Sequence, residues 1–120
     1  MKALFSTAGL AVFDIMARKK GGAKASSPGH KDFAIDLTAE NLEELFVAWL
    51  NELLSLSVSE NVIFTHFSIT TLNETHCAAE ARGESAADFT MRTEIKAATY
   101  HRLAVRPAGH GWKAEVIFDV

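Results

Sequence analysis

The chain has 120 residues, of which 48% are hydrophobic and 22% are charged. This length favours a single domain, residues 1–120, that buries roughly two thirds of the surface exposed in its unfolded form. The formal net charge of −3 argues against broad, non-specific nucleic-acid binding, although it leaves room for a small basic patch. Cys77 is the single cysteine, so an internal disulfide is excluded and a reducing, cytoplasmic location is expected.

The first apolar segment predicts a helix over residues 3–16, although Gly9 lowers its helix propensity. Its apolar stripe consists of Leu4, Ala8, Ala11 and Ile15, widened by Phe5, Val12 and Met16. The run from Ala3 to Phe13 also resembles a signal peptide, but Asp14 interrupts it and basic residues follow where a cleavage site needs small ones. We therefore do not expect secretion, and no segment reaches the roughly 20 apolar residues of a membrane span.

Residues 17–32 are rich in Lys, Gly and Ser, with Pro28-Gly29 as a turn signal. We interpret this segment as a flexible basic connector, since it holds five of the twelve Lys and Arg residues. Such connectors are usually only solvated, and contact with nucleic acid is the alternative interpretation. Direct sequence-specific nucleic-acid binding is not expected.

A short strand over residues 33–37 is followed by a helix that Thr38 is predicted to cap. Glu40, Glu43 and Glu44 lie near the positive end of this helix, where acidic side chains are favourable. Its apolar stripe is long and regular, and we expect it to face the core rather than a partner. The stripe consists of Leu42, Leu45, Phe46, Trp49, Leu50, Leu53 and Leu54.

The remaining segments predict strands in meander order. Residues 62–72 form one strand, Asn73-Glu74 turns the chain, and residues 75–84 alternate until Gly83-Glu84-Ser85 opens a loop. A further strand spans residues 99–106. In the last strand, after the turn at residues 107–111, Trp112, Ala114, Val116, Phe118 and Val120 share one face, while Lys113, Glu115, Ile117 and Asp119 share the other. Two helices and these strands predict an α+β two-layer sandwich, a mostly antiparallel sheet with two helices packed on one face.

Most catalytic signatures are missing from the sequence. Gly21-Gly22 lacks the Gly-Lys-Ser/Thr ending of a phosphate loop, and the five histidines are scattered rather than spaced as zinc ligands. Cys77 lies on the apolar face of its strand, which is typical of a small buried side chain rather than a nucleophile. A hydrolase using His76 or His101 has little support, because no nucleophile and base stand at a suitable spacing.

Lys96 and the last two residues are the candidate site. Lys96 precedes a strand and, if its segment is extended, shares a polar face with Thr90, Arg92 and Glu94; a surface pair with Glu94 is the alternative. The carboxylate of Asp119 stands beside the terminal carboxylate of Val120, and a bound cation would relieve their repulsion. Oxygen ligands suit Ca²⁺ or Mg²⁺, whereas a frayed, solvated end is the alternative.

Several segments together resemble the archease family, and the resemblance covers nearly the whole chain. They are residues 4–5, 11–16, 42–54, 82–84, 93–101, 112–114 and 117–120. The resemblance implies a non-enzymatic cofactor that promotes guanylylation and multiple turnover of an RtcB-type RNA ligase in tRNA splicing or RNA repair. It also implies that Lys96 and Asp119 are functionally important and that the acidic end binds a divalent metal, with Ca²⁺ the expected ion.

The chain departs from this family at its start. Archeases begin with a strand carrying a His-Thr-Ala-Asp-like motif, whose aspartate contributes to the metal site. Because the first helix here begins almost at Met1, we expect that strand to be absent unless the true start lies upstream. Its absence would expose a neighbouring strand edge and leave the metal site one carboxylate short, with Asp36 and Glu84 as candidate replacements. The alternative function is therefore a truncated, metal-independent structural or interaction domain.

Overall fold

The structure, a computed structural model, describes residues 1–20 and 30–120 and packs two helices against antiparallel strands. In chain order the elements are α1 (Lys2–Met16), β1 (Ala17–Lys19), β2 (His30–Thr38), α2 (Leu42–Glu60), β3 (Val62–Leu72), β4 (His76–Ser85), a 3-10 turn (Ala86–Asp88), β5 (Phe89–Met91), β6 (Ala97–Ala108) and β7 (Gly111–Asp119). The predicted α+β class is confirmed.

Three antiparallel ladders make up the β-structure that the described residues form. The central sheet has the strand order β2-β4-β3, while β1 pairs with β5 and β6 pairs with β7. Small side chains on β4, among them Cys77, Ala79 and Ala81, are buried beneath the helices as predicted. The opposite face of the central sheet is polar and carries an ion pair between Arg82 Nε and Asp32 Oδ1 at 3.0 Å. The helices therefore cover one face of the central sheet.

Helix α1 lies unusually close to the sheet and to α2 at Gly9. A Cβ added there would stand 2.8 Å from Cε2 of Phe67 and 3.1 Å from Cδ1 of Leu53, so only glycine fits without a shift. The indole Nε1 of Trp49 donates a hydrogen bond to the carbonyl of Phe5 at 2.9 Å and links the two helices. The glycine that weakened the helix prediction is thus a packing requirement.

The predicted buried face of α1 is partly wrong. Ile15 is 52% exposed and Ala11 is also exposed, whereas Leu4 and Ala8 of the same stripe are partly buried and pack against the core. The buried residues are Phe5, Gly9, Val12, Phe13 and Met16. Nearly every side of this helix is apolar, and the close approach at Gly9 selects the side that is buried.

Helix α2 confirms its predicted stripe, since all seven members are buried. Its predicted cap is wrong because Thr38 ends β2, and Asn41 takes that place instead. The Asn41 side-chain oxygen accepts from the Glu44 N–H at 2.9 Å, and Glu44 Oε2 accepts from the Glu40 N–H at 3.1 Å. These bonds satisfy donors that the first turn of a helix leaves unpaired.

Several predicted boundaries change in the structure. Residues 17–19 and 30–32 lie in strands, so the predicted connector was too wide at both ends; Gly21-Gly22 and Pro28-Gly29 fall outside the described residues. Gly83-Glu84-Ser85 does not open a loop but continues β4, where a Cβ on Gly83 would stand 2.9 Å from Cβ of Val62. Strand β6 is longer than predicted, and Val120 lies just beyond β7.

Candidate functional site

The structure brings Lys96 and Asp119 together at the open end of the β6–β7 hairpin. The Lys96 N–H donates to the carbonyl oxygen of Asp119 at 2.7 Å, and Ala97 lies opposite Asp119 in the ladder. Both residues are exposed. Two residues that are distant in the sequence therefore present their side chains from adjoining backbone positions.

The charges at this corner are not neutralised by their surroundings. Within residues 1–20 and 30–120, neither Lys96 nor Asp119 takes part in an ion pair, and the alternative surface pair of Lys96 with Glu94 does not form. Glu115, which lies on β7 with Asp119, differs in this respect: its carboxylate is 3.6 Å from the ammonium of Lys113. The ammonium of Lys96 and the carboxylate of Asp119 thus remain available to an incoming group.

Asn51 on α2 fixes the beginning of β6 beside this corner. Its Oδ1 accepts from the Ala98 N–H at 2.7 Å, and its Nδ2 donates to the Ala98 carbonyl at 3.2 Å. Because the N–H and C=O of a strand residue point the same way, Ala98 presents both groups to α2 rather than to β7. The side-chain amide of Asn51 therefore satisfies the Ala98 N–H and carbonyl at this strand edge, as the peptide group of a neighbouring strand would.

A wide bulge interrupts β6 next to the site. Four residues of β6 lie opposite the single residue Val116 of β7; they are Tyr100, His101, Arg102 and Leu103. Arg102 has a φ of 54°, a conformation that non-glycine residues rarely adopt, and Tyr100 is 61% exposed. Bulges re-aim side chains and are frequent beside functional sites. The sequence analysis missed both this bulge and Asn51; a polar residue between Leu50 and Leu53 was the available signal for the latter.

An open groove of about 870 Å³ runs between the second half of α2 and residues 91–97. Val58 and Met91 on its walls are 81% and 52% exposed, Ile95 is buried, and Lys96 and Glu94 stand on its rim. Exposed apolar side chains around a concave surface are typical of contact with another molecule. Lys96 therefore stands beside a surface suited to apolar side chains.

Within residues 1–20 and 30–120, no cluster of further ligand side chains surrounds the predicted metal ligands, Asp119 and Val120. Among the described residues, no three His, Cys, Asp or Glu side chains are grouped so that they could hold a metal ion. Of the two candidate replacements, Glu84 pairs with Lys19 Nζ at 2.9 Å and Asp36 with His76 Nε2 at 2.8 Å. Ca²⁺ takes six to eight oxygen ligands. Asp119 and its neighbour therefore do not by themselves fit a complete calcium site, and Ca²⁺ stays a prediction.

Cys77 has the environment predicted for it. Its side chain is fully buried, and burial, followed by the repulsion of the Asp36 carboxylate, raises the pKa of the thiol from 9.0 to about 11. A thiol with a raised pKa and no exposure is a poor nucleophile.

The fold and the site define a small α+β domain that presents a cation and a carboxylate on its surface. In the part of the chain that the structure describes, neither helix is both long and apolar enough to cross a membrane. The profile of the Archease protein family (MTH1598/TM1083) matches residues 1–120, so the chain belongs to this family. Membership indicates an accessory role in RNA ligation or tRNA processing.

Curated relatives agree with this assignment. The "Protein archease" of Methanosarcina barkeri is 33% identical over 123 residues, which cover 98% of this chain and 81% of that protein. The protein of the same name from Methanosarcina mazei is 34% identical with the same coverage. That of Methanothermobacter thermautotrophicus is 27% identical over 124 residues, covering all of this chain and 85% of the relative.

Proposed function

We propose that this protein is a non-enzymatic cofactor of an RtcB-type RNA ligase that promotes guanylylation of the ligase and lets it turn over repeatedly. The observation that carries the proposal is the hydrogen bond of 2.7 Å between the Lys96 N–H and the Asp119 carbonyl. It holds at one exposed corner the two residues for which family resemblance implies a functional role.

The geometry suits a residue pair that acts on another protein's active site. The chemistry belongs to the ligase, and the unpaired ammonium of Lys96 is free to approach phosphate or carboxylate groups there. Asn51 and the ladder fix the backbone of this corner, so little order has to be gained on binding. The neighbouring groove, with Val58 and Met91 on its walls, supplies apolar contact area for the ligase.

Divalent metal binding at Asp119 and Val120 is a separate part of the proposal, and no step above depends on it. The scattered carboxylates favour a second candidate function, a metal-independent interaction domain without ligase activation. The two candidates differ in whether the ligase responds to this protein, so one assay distinguishes them.

The test is to incubate the protein with the ligase of its own organism and radiolabelled GTP, and to measure the ligase–GMP adduct and the number of ligation turnovers. We expect stimulation by the unmodified protein and its loss in Lys96→Ala and in Asp119→Ala. Lys113→Ala and Glu115→Ala are the matched controls, since both residues lie on the same exposed face of β7 as Asp119. They should stimulate normally.

Each outcome has a distinct meaning. Absence of stimulation by the unmodified protein would reject the proposed function and favour the interaction domain. Full stimulation by Lys96→Ala and Asp119→Ala would remove these residues from the site while leaving the function standing. Circular dichroism of every variant separates loss of function from loss of fold.

A further inference from the structure

The ribbon formed by β1 and β5 carries a cluster of cations that the sequence keeps apart. Arg18 lies opposite Thr90, and the next two pairs are Ala17 with Met91 and Lys19 with Phe89. Side chains alternate along a strand, so this register places Arg18 and Thr90 on the same face of the ribbon. Lys20 is two residues after Arg18, and Arg92 is two residues after Thr90. Together with Lys19, these four residues line one cleft of about 340 Å³.

The cleft has an excess of positive charge. Lys19 is paired with Glu84 at 2.9 Å, but Arg18, Lys20 and Arg92 take part in no ion pair among the residues that the structure describes. Asp88 is an acidic residue at the start of the ribbon. Its single negative charge is smaller than the combined positive charge of the three cations, so the cleft keeps an excess of positive charge. A protein of net charge −3 therefore concentrates unpaired positive charge in one concave place.

Backbone hydrogen bonds hold the ribbon in this shape. The Lys20 N–H donates to the Asp88 carbonyl at 3.0 Å at one end, and the Arg92 N–H donates to the Met16 carbonyl at 2.7 Å at the other. These bonds fix the main chain from which the long side chains extend. The cations are therefore displayed by a built surface rather than by a loose end.

The residue types identify the ligand class. Arg, Lys and Thr side chains contact the phosphate oxygens of nucleic acids, whereas aromatic side chains provide the surfaces on which the bases of a single strand stack. Among the described residues, none of those that line this cleft is aromatic, so contact with the backbone rather than with the bases is expected. We propose that the cleft binds the phosphodiester backbone of single-stranded RNA without sequence preference.

The role assigned to this RNA binding rests on the proposed function, because the cleft lies close to Lys96. Arg92 and Lys96 are four residues apart, so their Cα atoms are at most about 14 Å from each other. An RNA strand held in the cleft therefore passes close to the corner that acts on the ligase. The cleft would retain RNA ends next to the ligase while Lys96 and Asp119 act on guanylylation.

Binding can be tested without the ligase. We would titrate the protein into a fluorescein-labelled 12-nucleotide RNA and follow anisotropy between 25 and 200 mM salt. Three phosphate contacts on a single strand predict a slope of log K against log salt of about −2. Arg18→Gln/Arg92→Gln should weaken binding about tenfold at low salt and reduce the slope by about 1.4. The control Lys2→Gln/Lys31→Gln removes the same charge from exposed positions elsewhere and should change affinity less than twofold.

Three results would overturn the assignment. They are failure of the unmodified, folded protein to bind RNA, equal weakening by the control variant, and binding by the cleft variant with an unchanged slope. Should the cleft variant instead lose only affinity for the ligase, the cleft contacts an acidic protein face and the RNA assignment is wrong. Lys20→Gln provides a second test if the double variant does not fold.

The same variants separate this inference from the proposed function. Arg18→Gln/Arg92→Gln should still stimulate guanylylation of the ligase in the absence of RNA while losing RNA affinity. Lys96→Ala should show the reverse. Failure of RNA binding with intact stimulation rejects only the cleft, and failure of stimulation with intact RNA binding rejects only the ligase role.

Discussion

Replacing Asn51 by Ala tests whether a single helix side chain holds the candidate site in place. The change removes hydrogen bonds of 2.7 and 3.2 Å to the Ala98 backbone, and Ala98 is only 5% exposed. Each lost bond costs about 1 kcal/mol, and an unsatisfied buried group raises this toward 1–3 kcal/mol. We therefore expect the free energy of unfolding to fall by about 2–4 kcal/mol.

The assay is urea unfolding followed by circular dichroism. With a slope of about 2 kcal/mol per molar urea, the middle of the usual range, the midpoint should fall by roughly 1–2 M at an unchanged slope. Asn51→Asp keeps the acceptor for the Ala98 N–H but turns an oxygen toward the Ala98 carbonyl, so it should also be destabilised. Ser55→Ala, at an exposed position of the same helix, is the control and should change the midpoint little.

A loss below about 0.5 kcal/mol in Asn51→Ala, the usual range of a surface substitution, would refute this reasoning. It would mean that water or a neighbouring group replaces the amide without cost. A second measurement is stimulation of the ligase without urea, at a temperature at which the variant is folded. We expect stimulation to fall, because the start of β6 that precedes the bulge is no longer anchored beside Lys96.

Three further predictions concern other parts of the molecule. Gly9→Ala should lower the thermal midpoint despite a helix propensity gain of about 1 kcal/mol, because its Cβ would meet the Phe67 ring at 2.8 Å and overpacking costs about 1–3 kcal/mol; a higher midpoint would contradict the packing argument. Cys77 should resist iodoacetamide at pH 8 in the native protein and react in urea, and its raised pKa should make stability fall as pH increases from 9.0 toward about 11; Cys77→Ala should abolish that contribution, and rapid native labelling would contradict burial. Calorimetric titration with Ca²⁺ should give weak binding, with a dissociation constant on the order of millimolar, that Asp119→Ala removes; no heat in either protein would favour the metal-independent alternative.

Local patterns predicted those parts of the fold that depend on neighbours in the chain. The stripe of α2 is buried in full because residues three and four apart share a face of any helix. Strand β3 was predicted with its observed bounds, Val62 to Leu72, because β-branched and aromatic residues continue to its end. The alternation along β7 is likewise observed, with Lys113, Glu115, Ile117 and Asp119 exposed.

Distant contacts account for what the sequence could not predict. Two apolar faces of α1 competed, and a glycine meeting Phe67 from another element decided between them. The pairing of Arg18 with Thr90 depends on strands of three residues each, which are too short to show alternation. The bulge at Tyr100 contains no glycine to mark it, and it is defined only by the register of β6 against β7.

The segment from Arg92 to Lys96 shows how such distant contacts build a functional surface. It belongs to no strand, yet its first N–H is bonded to the Met16 carbonyl at 2.7 Å and its last to the Asp119 carbonyl at 2.7 Å. Ile95 between them is buried, which fixes the segment against the core. A chain held at both ends and in the middle keeps a defined path without a sheet partner, so Arg92 lines the basic cleft while Lys96 stands beside Asp119. The spacing of these two cations is therefore set by α1 and β7, and a change in either element should disturb both surfaces together.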